Sequence, residues 1–524
     1  MRSGVLFLLV LSLASAQDRQ VSNPLSGPAL IDKRISERWS AEGITPAAMS
    51  DDAEFLRRAY LDIVGVIPPA DEVIRFLGDR RPDKRAILID ALLAHPAYAQ
   101  HWSDLWEAIL VGYNPRNPDG QTSLGRWLRE NAFAKNLPFD EMTRRIIAAK
   151  GRNRDNMATV YWTGQLQRGR ALNDVASRTT QIFLGTQIHC AQCHDHPFDR
   201  YTQEDYVQTI AFFVRLQQRK VKPQDQTDQE FEILEGGRNE AQFPPDPQAR
   251  NRRAMPPRYF DGSVPEANEA RRDAFVRIIT RPDNLQFAVA LVNRYWGHFF
   301  GRGVVHPLDD FNLKNKPSHP ELLTELAQDF IAHKFDLKWL IRAITLSRTY
   351  QLSSRKPAKA GAEKLFGYAL VRTMTPEQLF ASMIEAIGVE DQYKAMERRA
   401  EGRDQATNER TNYIRQFRFT FGDDEQADVL EFDGTIPQAL VMLNGDLLNR
   451  RMQQPNSRLD LILRTRPSAG ERLELIFLSA MSRRPTPKEA ARCAAYVSQK
   501  GNKRETYEDI MWSLLNSSEF FFIH

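Results

Sequence analysis

The chain has 524 residues, of which 27 are glycine and 29 are proline, and these ordinary fractions exclude collagen-like and low-complexity proteins. Hydrophobic residues make up 42% and aromatic residues 10%, which is enough apolar surface for sizeable cores and excludes global disorder. Lysine and arginine number 71 against 67 aspartates and glutamates, and a net charge of only +4 predicts no nucleic-acid partner.

The amino terminus has the pattern of an export signal. Arg2 precedes an apolar run from Val5 to Leu13, and Ala14-Ser15-Ala16 follows as a small-residue cleavage pattern. We therefore expect residues 1–16 to be a cleaved signal peptide and the mature protein to be periplasmic or secreted. No stretch reaches the roughly 18 uncharged apolar residues of a membrane-spanning helix, so no transmembrane segment is predicted.

Helical periodicity dominates the block from residue 17 to residue 215. Between residues 52 and 64, for example, Leu56, Tyr60 and Ile63 recur at the spacing of one helix face. Strand-like alternation is scarce. The sequence therefore predicts a mainly α fold, with a first helical domain over residues 17–215.

Eleven residues near the end of this block concentrate side chains that bind metals and cofactors. The segment from His189 to Asp199 contains two of the three cysteines and three of the ten histidines of the chain. An amphipathic helix precedes it and is expected to end at Gly185, so the cluster is predicted to lie on a loop or short turn.

Cys190, Cys193 and His194 match the Cys-x-x-Cys-His signature of c-type haem attachment. In this signature the two thiols bind the two vinyl groups of the haem, and the adjacent imidazole binds the iron. Export agrees with this interpretation, because such haem is attached outside the cytoplasm. A low-spin electron carrier needs a second axial ligand, for which Met255 is the candidate.

The same residues allow two other interpretations. Cys190, Cys193, His194 and His196 are donors suited to a non-haem zinc or iron site, either in a metal-binding protein or in a hydrolase that uses a metal-bound water. Alternatively, Cys190 and Cys193 form a disulfide that stabilises a scaffold protein in an oxidising compartment. The residues alone leave the three hypotheses open.

The second half of the chain begins after a segment without helical periodicity. Residues 216–268 are rich in proline and polar residues, which indicates an irregular connector or small subdomain. Residues 269–524 are predicted to form a second helical domain. Its helices have start signals at Ser318, Thr375 and Thr486, each a hydroxyl residue followed by an early proline and a Glu or Gln.

This second block contains one aromatic helix and one polar loop. Residues 287–300 are expected to form the helix, with His298 as a core group. The loop that follows brings His306, Asp309 and Asp310 together with flexible glycines, as a candidate polar pocket. The chain lacks the common serine-hydrolase, nucleotide-binding and zinc-protease motifs, so whether it is an enzyme stays open.

Motifs spread along nearly the whole chain resemble those of two known domains. The first block contains Phe55-Leu56-Arg57-Arg58-Ala59-Tyr60-Leu61-Asp62, Cys190-Ala191-Gln192-Cys193-His194-Asp195-His196-Pro197-Phe198-Asp199 and Thr202-Gln203-Glu204-Asp205-Tyr206. The second block contains Asn293-Arg294-Tyr295-Trp296, Phe299-Phe300-Gly301-Arg302-Gly303, Asp309-Asp310-Phe311, Ser318-His319-Pro320-Glu321, Ser347-Arg348-Thr349-Tyr350 and Leu515-Asn516-Ser517-Ser518-Glu519-Phe520.

The first set resembles an exported planctomycete-type cytochrome-c-like domain, and the second resembles the domain of unknown function that habitually follows it. The resemblance implies membership of an exported two-domain family without an assigned reaction. Such proteins are similar to those often encoded beside an exported sulfatase-like family, which implies a sulfatase-like companion and a link to surface polysaccharide metabolism. A haem-bearing chain would also need a redox partner.

Overall fold

The computed structural model describes residues 25–112, 123–167, 171–221, 230–246, 248–389 and 450–524. The predicted signal peptide, residues 1–16, lies outside this part of the chain. The described residues are mainly helical, as the periodicity predicts. None of their helices is both long enough and apolar enough to cross a membrane.

The first block is built from short helices. They are α1 (Pro28–Glu42), α2 (Asp52–Val64), α3 (Ala70–Gly78), α4 (Lys84–Ala94), α5 (Pro96–Val111), α6 (Ser123–Trp127), α7 (Phe139–Ile147), α8 (Val160–Gln167), α9 (Leu172–Leu184) and α10 (Gln203–Ile210). A π-helical turn over Leu128–Phe133 continues α6. The helix expected over residues 52–64 is confirmed as α2, which Asp51 caps by accepting a hydrogen bond from the Glu54 amide.

The second block continues the helical pattern. Its helices are α11 (Arg271–Ile279), α12 (Leu285–Phe300), α13 (Pro320–Ala332), α14 (Leu337–Leu346), α15 (Pro376–Ile387), α16 (Arg458–Thr465), α17 (Ala469–Met481), α18 (Pro487–Lys500), α19 (Arg504–Leu515) and α20 (Ser518–Phe521).

Two of the three predicted start signals in this block are confirmed. The hydroxyl groups of Thr375 and Thr486 accept hydrogen bonds from backbone amides in the first turns of α15 and α18, as capping boxes do. The cap predicted at Ser318 is wrong, because its hydroxyl donates to the carbonyl oxygen of Val304 at 3.2 Å. Helix α13 therefore begins after His319 without a side-chain cap.

The strands are few and short. They are β1 (Gly151–Arg152), β2 (Leu216–Val221), β3 (Glu230–Glu235), β4 (Ala241–Phe243), β5 (Arg253–Met255), β6 (Arg372–Thr373) and β7 (Phe522–Ile523). All pair antiparallel, in a sheet of order β1-β3-β2 and in the pairs β4-β5 and β6-β7. The described residues between α10 and α11 contain no helix, so two small hairpins form the connector that joins the two helical blocks.

Helices from both sides of the connector share one hydrophobic core. Buried side chains from α1 to α14 form a single cluster. Within it, the indole of Trp102 on α5 stacks on the ring of Tyr295 on α12, with centroids 4.7 Å apart. Phe139 on α7 stacks on Phe287 at 5.2 Å. Because these rings are buried against each other, separating the blocks would expose both faces to water.

A second cluster contains the buried side chains of α15 to α20, and α2 lies between the two clusters. The buried Arg57 guanidinium donates to the carbonyl oxygens of Ala480 at 3.1 Å and Phe520 at 2.9 Å. Its neighbour Arg58 donates to the Tyr350 carbonyl oxygen at 2.7 Å. Helix α2 therefore connects the first block to both parts of the second block.

Candidate functional site

The cysteine and histidine cluster forms a short turn between α9 and α10. Helix α9 ends at Gly185, whose φ of 64° belongs to the left-handed region that favours glycine. The chain then makes one 3₁₀ turn over His189–Gln192. Ile188 and Ala191 are fully buried and fix this turn to the main core. The turn is therefore a fixed platform on the surface of the first block.

Both thiols of the signature project from the exposed side of this platform. Cys190 lies within the 3₁₀ turn and Cys193 is the residue that directly follows it, so about one turn separates the two cysteines. Both are free and solvent-exposed, whereas the third cysteine, Cys493, is half-buried on α18. The two thiols of the pair are therefore accessible to a reagent or cofactor.

The imidazole of His194 is held in one tautomer. Its Nδ1 lies 2.7 Å from the carbonyl oxygen of Asp195. A carbonyl oxygen can only accept a hydrogen bond, so Nδ1 donates and carries the proton. In the neutral ring this leaves the lone pair on Nε2. Metal-bound histidines commonly have this arrangement, with one nitrogen donating to a carbonyl and the other binding the metal.

His196 has a different role in the turn. Its Nδ1 accepts a hydrogen bond from the backbone amide of Phe198 at 3.2 Å, and its own amide donates to the Tyr201 carbonyl oxygen at 2.8 Å. The third histidine, His189, lies 3.9 Å from a carboxylate oxygen of Asp174. Within the described part of the chain, no three His, Cys, Asp or Glu side chains are grouped so that they could hold a metal ion.

Helix α10 supports the turn from the other side. A carboxylate oxygen of Asp195 accepts a hydrogen bond from the Gln203 backbone amide at 2.8 Å. The side-chain amide of Gln203 donates to the Gln192 carbonyl oxygen at 3.0 Å. Behind them, burial raises the pKa of the Tyr206 hydroxyl to about 12, so this side chain is neutral at physiological pH. The acid adjacent to His194 is thus a structural group.

The polar loop of the second block lies directly beside the turn. The amide of Phe311 donates to the Gly185 carbonyl oxygen at 2.9 Å. The ammonium group of Lys314 lies 3.2 Å from the ring centroid of Phe198. The structure therefore brings together two motif-bearing segments that lie more than one hundred residues apart in sequence.

Two of the candidate residues in this loop interact with side chains in or next to the loop. Asp309 lies 3.8 Å from the guanidinium of Arg294, measured between Oδ2 and Nη2. Asp310 accepts a hydrogen bond from the side-chain amide of Asn315 at 2.8 Å. His306 is half-buried at the start of the loop. The two acids thus stabilise the loop conformation.

Met255, the candidate distal ligand, is buried and does not lie on the exposed turn. It belongs to β5 and is 2% exposed, as part of the main core, whereas His194 is exposed. The hairpin that contains Met255 packs against α10, and α10 packs against the turn. The structure therefore places the methionine behind the turn and inside the protein, and its role as a ligand stays a prediction.

Other motif residues form hydrogen bonds that stabilise the fold. Asn293 donates from its side-chain amide to the Val305 carbonyl oxygen at 2.8 Å and accepts from the Val305 amide at 2.8 Å. His298 is a core group, as predicted: its Nε2 donates to the Asp62 carbonyl oxygen at 3.1 Å, and burial lowers its pKa to about 4. The turn differs, because the thiols of Cys190 and Cys193 have no hydrogen-bonding partner among the described residues.

Sequence reasoning missed the apolar and cationic side chains around the turn. Phe198 is 49% exposed and Leu313 is 69% exposed, although both are large and apolar. Phe198 stands within the cysteine motif, where its exposure is not readable from sequence. Leu313 and Lys314 carry no local signal at all, because only the tertiary fold places their loop at this site.

Two family models match this chain. The model of PSCyt2, a protein of unknown function (DUF1549), matches residues 30–218. The model of PSD1, a protein of unknown function (DUF1553), matches residues 271–497. Comparison with curated proteins and with solved structures gave no match. The matched regions stand in tandem on either side of the connector, and the chain thus belongs to a two-domain family of uncharacterised proteins, with a PSCyt2 region followed by a PSD1 region.

Proposed function

We propose that the protein is an exported c-type haem protein with an electron-transfer or redox role. Cys190 and Cys193 would hold the haem covalently, and Nε2 of His194 would be the axial ligand. One observation carries the proposal: two free, exposed thiols and an imidazole in the ligand tautomer lie on one short, anchored turn. The family name PSCyt2 agrees with this assignment.

The residues of the turn fit the chemistry of attachment. Each S–H group would add across one vinyl group, which forms a C–S bond at one carbon and a C–H bond at the other. This addition consumes neither oxidant nor reductant, and it needs accessible thiols. The exposed side chains of Cys190 and Cys193 meet that requirement. The bound haem would supply one-electron chemistry at its iron.

The chain itself would fix the ligand geometry. The Asp195 carbonyl oxygen would hold the imidazole of His194 and increase its basicity through the 2.7 Å hydrogen bond to Nδ1. Buried Ala191 would anchor the turn between the two cysteines to the core. We propose surface polysaccharide metabolism as the setting, with a sulfatase-like companion and a separate redox partner, on the basis of the motif resemblance.

The test is expression of the chain, with its signal peptide, in a host that has the haem-attachment machinery. We expect one haem per chain in the pyridine haemochrome spectrum of the purified protein. The double variant Cys190→Ser/Cys193→Ser should contain none. Cys493→Ser is the matched control and should retain the full amount, because this cysteine lies on α18.

The same preparation distinguishes the alternatives. Elemental analysis should find iron in the amount of haem and no stoichiometric zinc. Protein without haem but with tightly bound zinc or iron would overturn the proposal in favour of a non-haem metal site or a metal-dependent hydrolase. Protein with neither, and with one disulfide by mass spectrometry, would favour a scaffold.

A further inference from the structure

The turn that bears the cysteines has a wall on one side, and the PSD1 region supplies it. The loop over residues 301–318 is attached to the end of α9 by the 2.9 Å hydrogen bond from the Phe311 amide to the Gly185 carbonyl oxygen. The contact is close, since a Cβ at Gly185 would lie 2.5 Å from the Phe311 ring. Gln286 adds a bond of 2.7 Å to the Leu184 carbonyl oxygen.

This wall and the adjacent turn each present one large apolar side chain to solvent. Leu313 is 69% exposed, the largest exposed fraction of any large apolar side chain in the described part of the chain. Phe198 is 49% exposed and lies in the cysteine motif, five residues after Cys193. Burial of such side chains against an apolar ligand is favourable, whereas their exposure to water is not.

One cation contacts the Phe198 ring, and a second is close to it in sequence. The ammonium group of Lys314 lies 3.2 Å from the ring centroid. Arg200 follows two residues later, and its guanidinium lies 5.7 Å from the ring centroid of Tyr201. Neither cation forms an ion pair with a carboxylate of the described residues, whereas Arg215, Arg253 and Arg294 each do. Both charges are therefore available to an anionic ligand.

We propose that Phe198, Arg200, Leu313 and Lys314 form the outer wall of the haem site, with the two apolar side chains against the ring and the two cations near its propionates. This inference rests on the proposed function. A haem combines an apolar plane with two carboxylates, and this patch combines apolar surface with two unpaired cations at the edge of the attachment turn. It assigns to the PSD1 region a direct part in binding the haem.

The reduction potential of the haem-loaded protein tests this assignment. An apolar shell limits solvent access and so sets the potential of a haem. Phe198→Ser and Leu313→Ser should keep the covalent haem but lower the midpoint potential, because water stabilises the more highly charged ferric form. Lys314→Gln and Arg200→Gln should also lower it, because loss of a nearby positive charge favours the oxidised iron.

Leu461→Ser is the matched control, since Leu461 is 42% exposed on α16, a helix whose buried side chains belong to the other core. The midpoint potential of this variant should equal that of the wild type. Circular dichroism confirms the folding of each variant. If the wild-type protein contains haem and all four patch variants have the wild-type midpoint potential, the assignment of the outer wall is wrong and the proposed function still stands. Wild-type protein without haem would overturn both.

Discussion

Both carboxylate oxygens of Asp62 accept hydrogen bonds from Nη2 of Arg372, at 2.8 and 2.9 Å, although the two residues stand 310 positions apart. The Tyr350 hydroxyl donates to the same carboxylate at 2.8 Å. The Asp62 side chain is fully buried, and only 6% of the Arg372 side chain is exposed. This ion pair joins the PSCyt2 region to the PSD1 region in the protein interior.

Removal of this buried charge should strongly destabilise the protein. Asp62→Asn leaves the Arg372 guanidinium buried without its counter-ion, and breaking a buried pair in this way costs about 3–5 kcal/mol. We expect that loss in the free energy of unfolding, measured by urea titration with circular dichroism. Asp90→Asn is the control, because Asp90 and Arg342 form an exposed pair at 2.7 Å. It should cost at most about 1 kcal/mol, and equal losses in the two variants would contradict the prediction.

The PSCyt2 region should not fold cooperatively without the PSD1 region. A chain of residues 17–268 would expose the faces of Trp102 and Phe139 that the helix α12 residues Tyr295 and Phe287 cover in the full chain. We expect rapid proteolysis and no cooperative thermal transition for this fragment, with the full chain as control. A sharp transition for the fragment alone would show that its core does not need the second region.

Gly185 should be harder to replace than a glycine that has only an unusual φ. Gly185→Ala and Gly361→Ala both force alanine to a positive φ, of 64° and 87°, at a backbone cost of about 1–2 kcal/mol. At Gly185 the new Cβ also meets the Phe311 ring at 2.5 Å, whereas at Gly361 nothing lies within 4 Å. The larger fall in melting temperature should therefore belong to Gly185→Ala. The reverse order would argue against the close contact of loop and turn.

The cysteine pair should contribute little to stability when no haem is attached. Cys190 and Cys193 are free and exposed, so their joint replacement by serine should change the free energy of unfolding by no more than about 0.5 kcal/mol. The measurement uses protein from a host without the attachment machinery. A loss of about 2–5 kcal/mol would instead indicate a disulfide and the scaffold hypothesis.

Stability should decline as the pH falls below about 6.5, because of buried histidines. Burial lowers the pKa of His298 to about 4 and that of His101 to about 3, so both stay neutral in the folded protein. The unfolded chain binds protons at these histidines near pH 6.5, and the folded chain does not until about pH 4. Their contribution is therefore complete above pH 6.5 and is lost as the pH falls towards 4 and 3.

His298→Gln checks this assignment, since glutamine can still donate to the Asp62 carbonyl oxygen but does not titrate. Between pH 7 and pH 5, the urea midpoint of this variant should fall less steeply than that of the wild type. The difference corresponds to about 1–2 kcal/mol over that range. Parallel curves would show that His298 does not contribute to the pH dependence.

Local signals in the sequence were sufficient to predict the position of many helices. Helix α2 matches its predicted span, because its periodic apolar residues lie within the helix and its cap, Asp51, directly precedes it. Helix α9 likewise ends at Gly185, where a left-handed residue is required. The predicted cap at Ser318 failed because a distant carbonyl, that of Val304, competes for the hydroxyl. Local rules do not detect such a partner.

The candidate site likewise has parts that local sequence signals predict and parts that depend on tertiary contacts. The turn with Cys190, Cys193 and His194 could be identified from spacing alone, since its chemistry lies within five residues. The exposure of Leu313 and the position of Lys314 over Phe198 could not, because a tertiary contact between two helical blocks creates them. The ion pair between Asp62 and Arg372 could not be predicted either, for the same reason.

The core that spans the connector also constrains how this protein can be inherited. A recombination event that breaks the gene within the connector would pair one region with a foreign partner, whose surface would not match the rings of Trp102 and Phe139. The product would be a chimera with two mismatched apolar faces. The PSCyt2 and PSD1 regions should therefore be transferred between genomes together, and the residues on their two facing surfaces should change together during evolution.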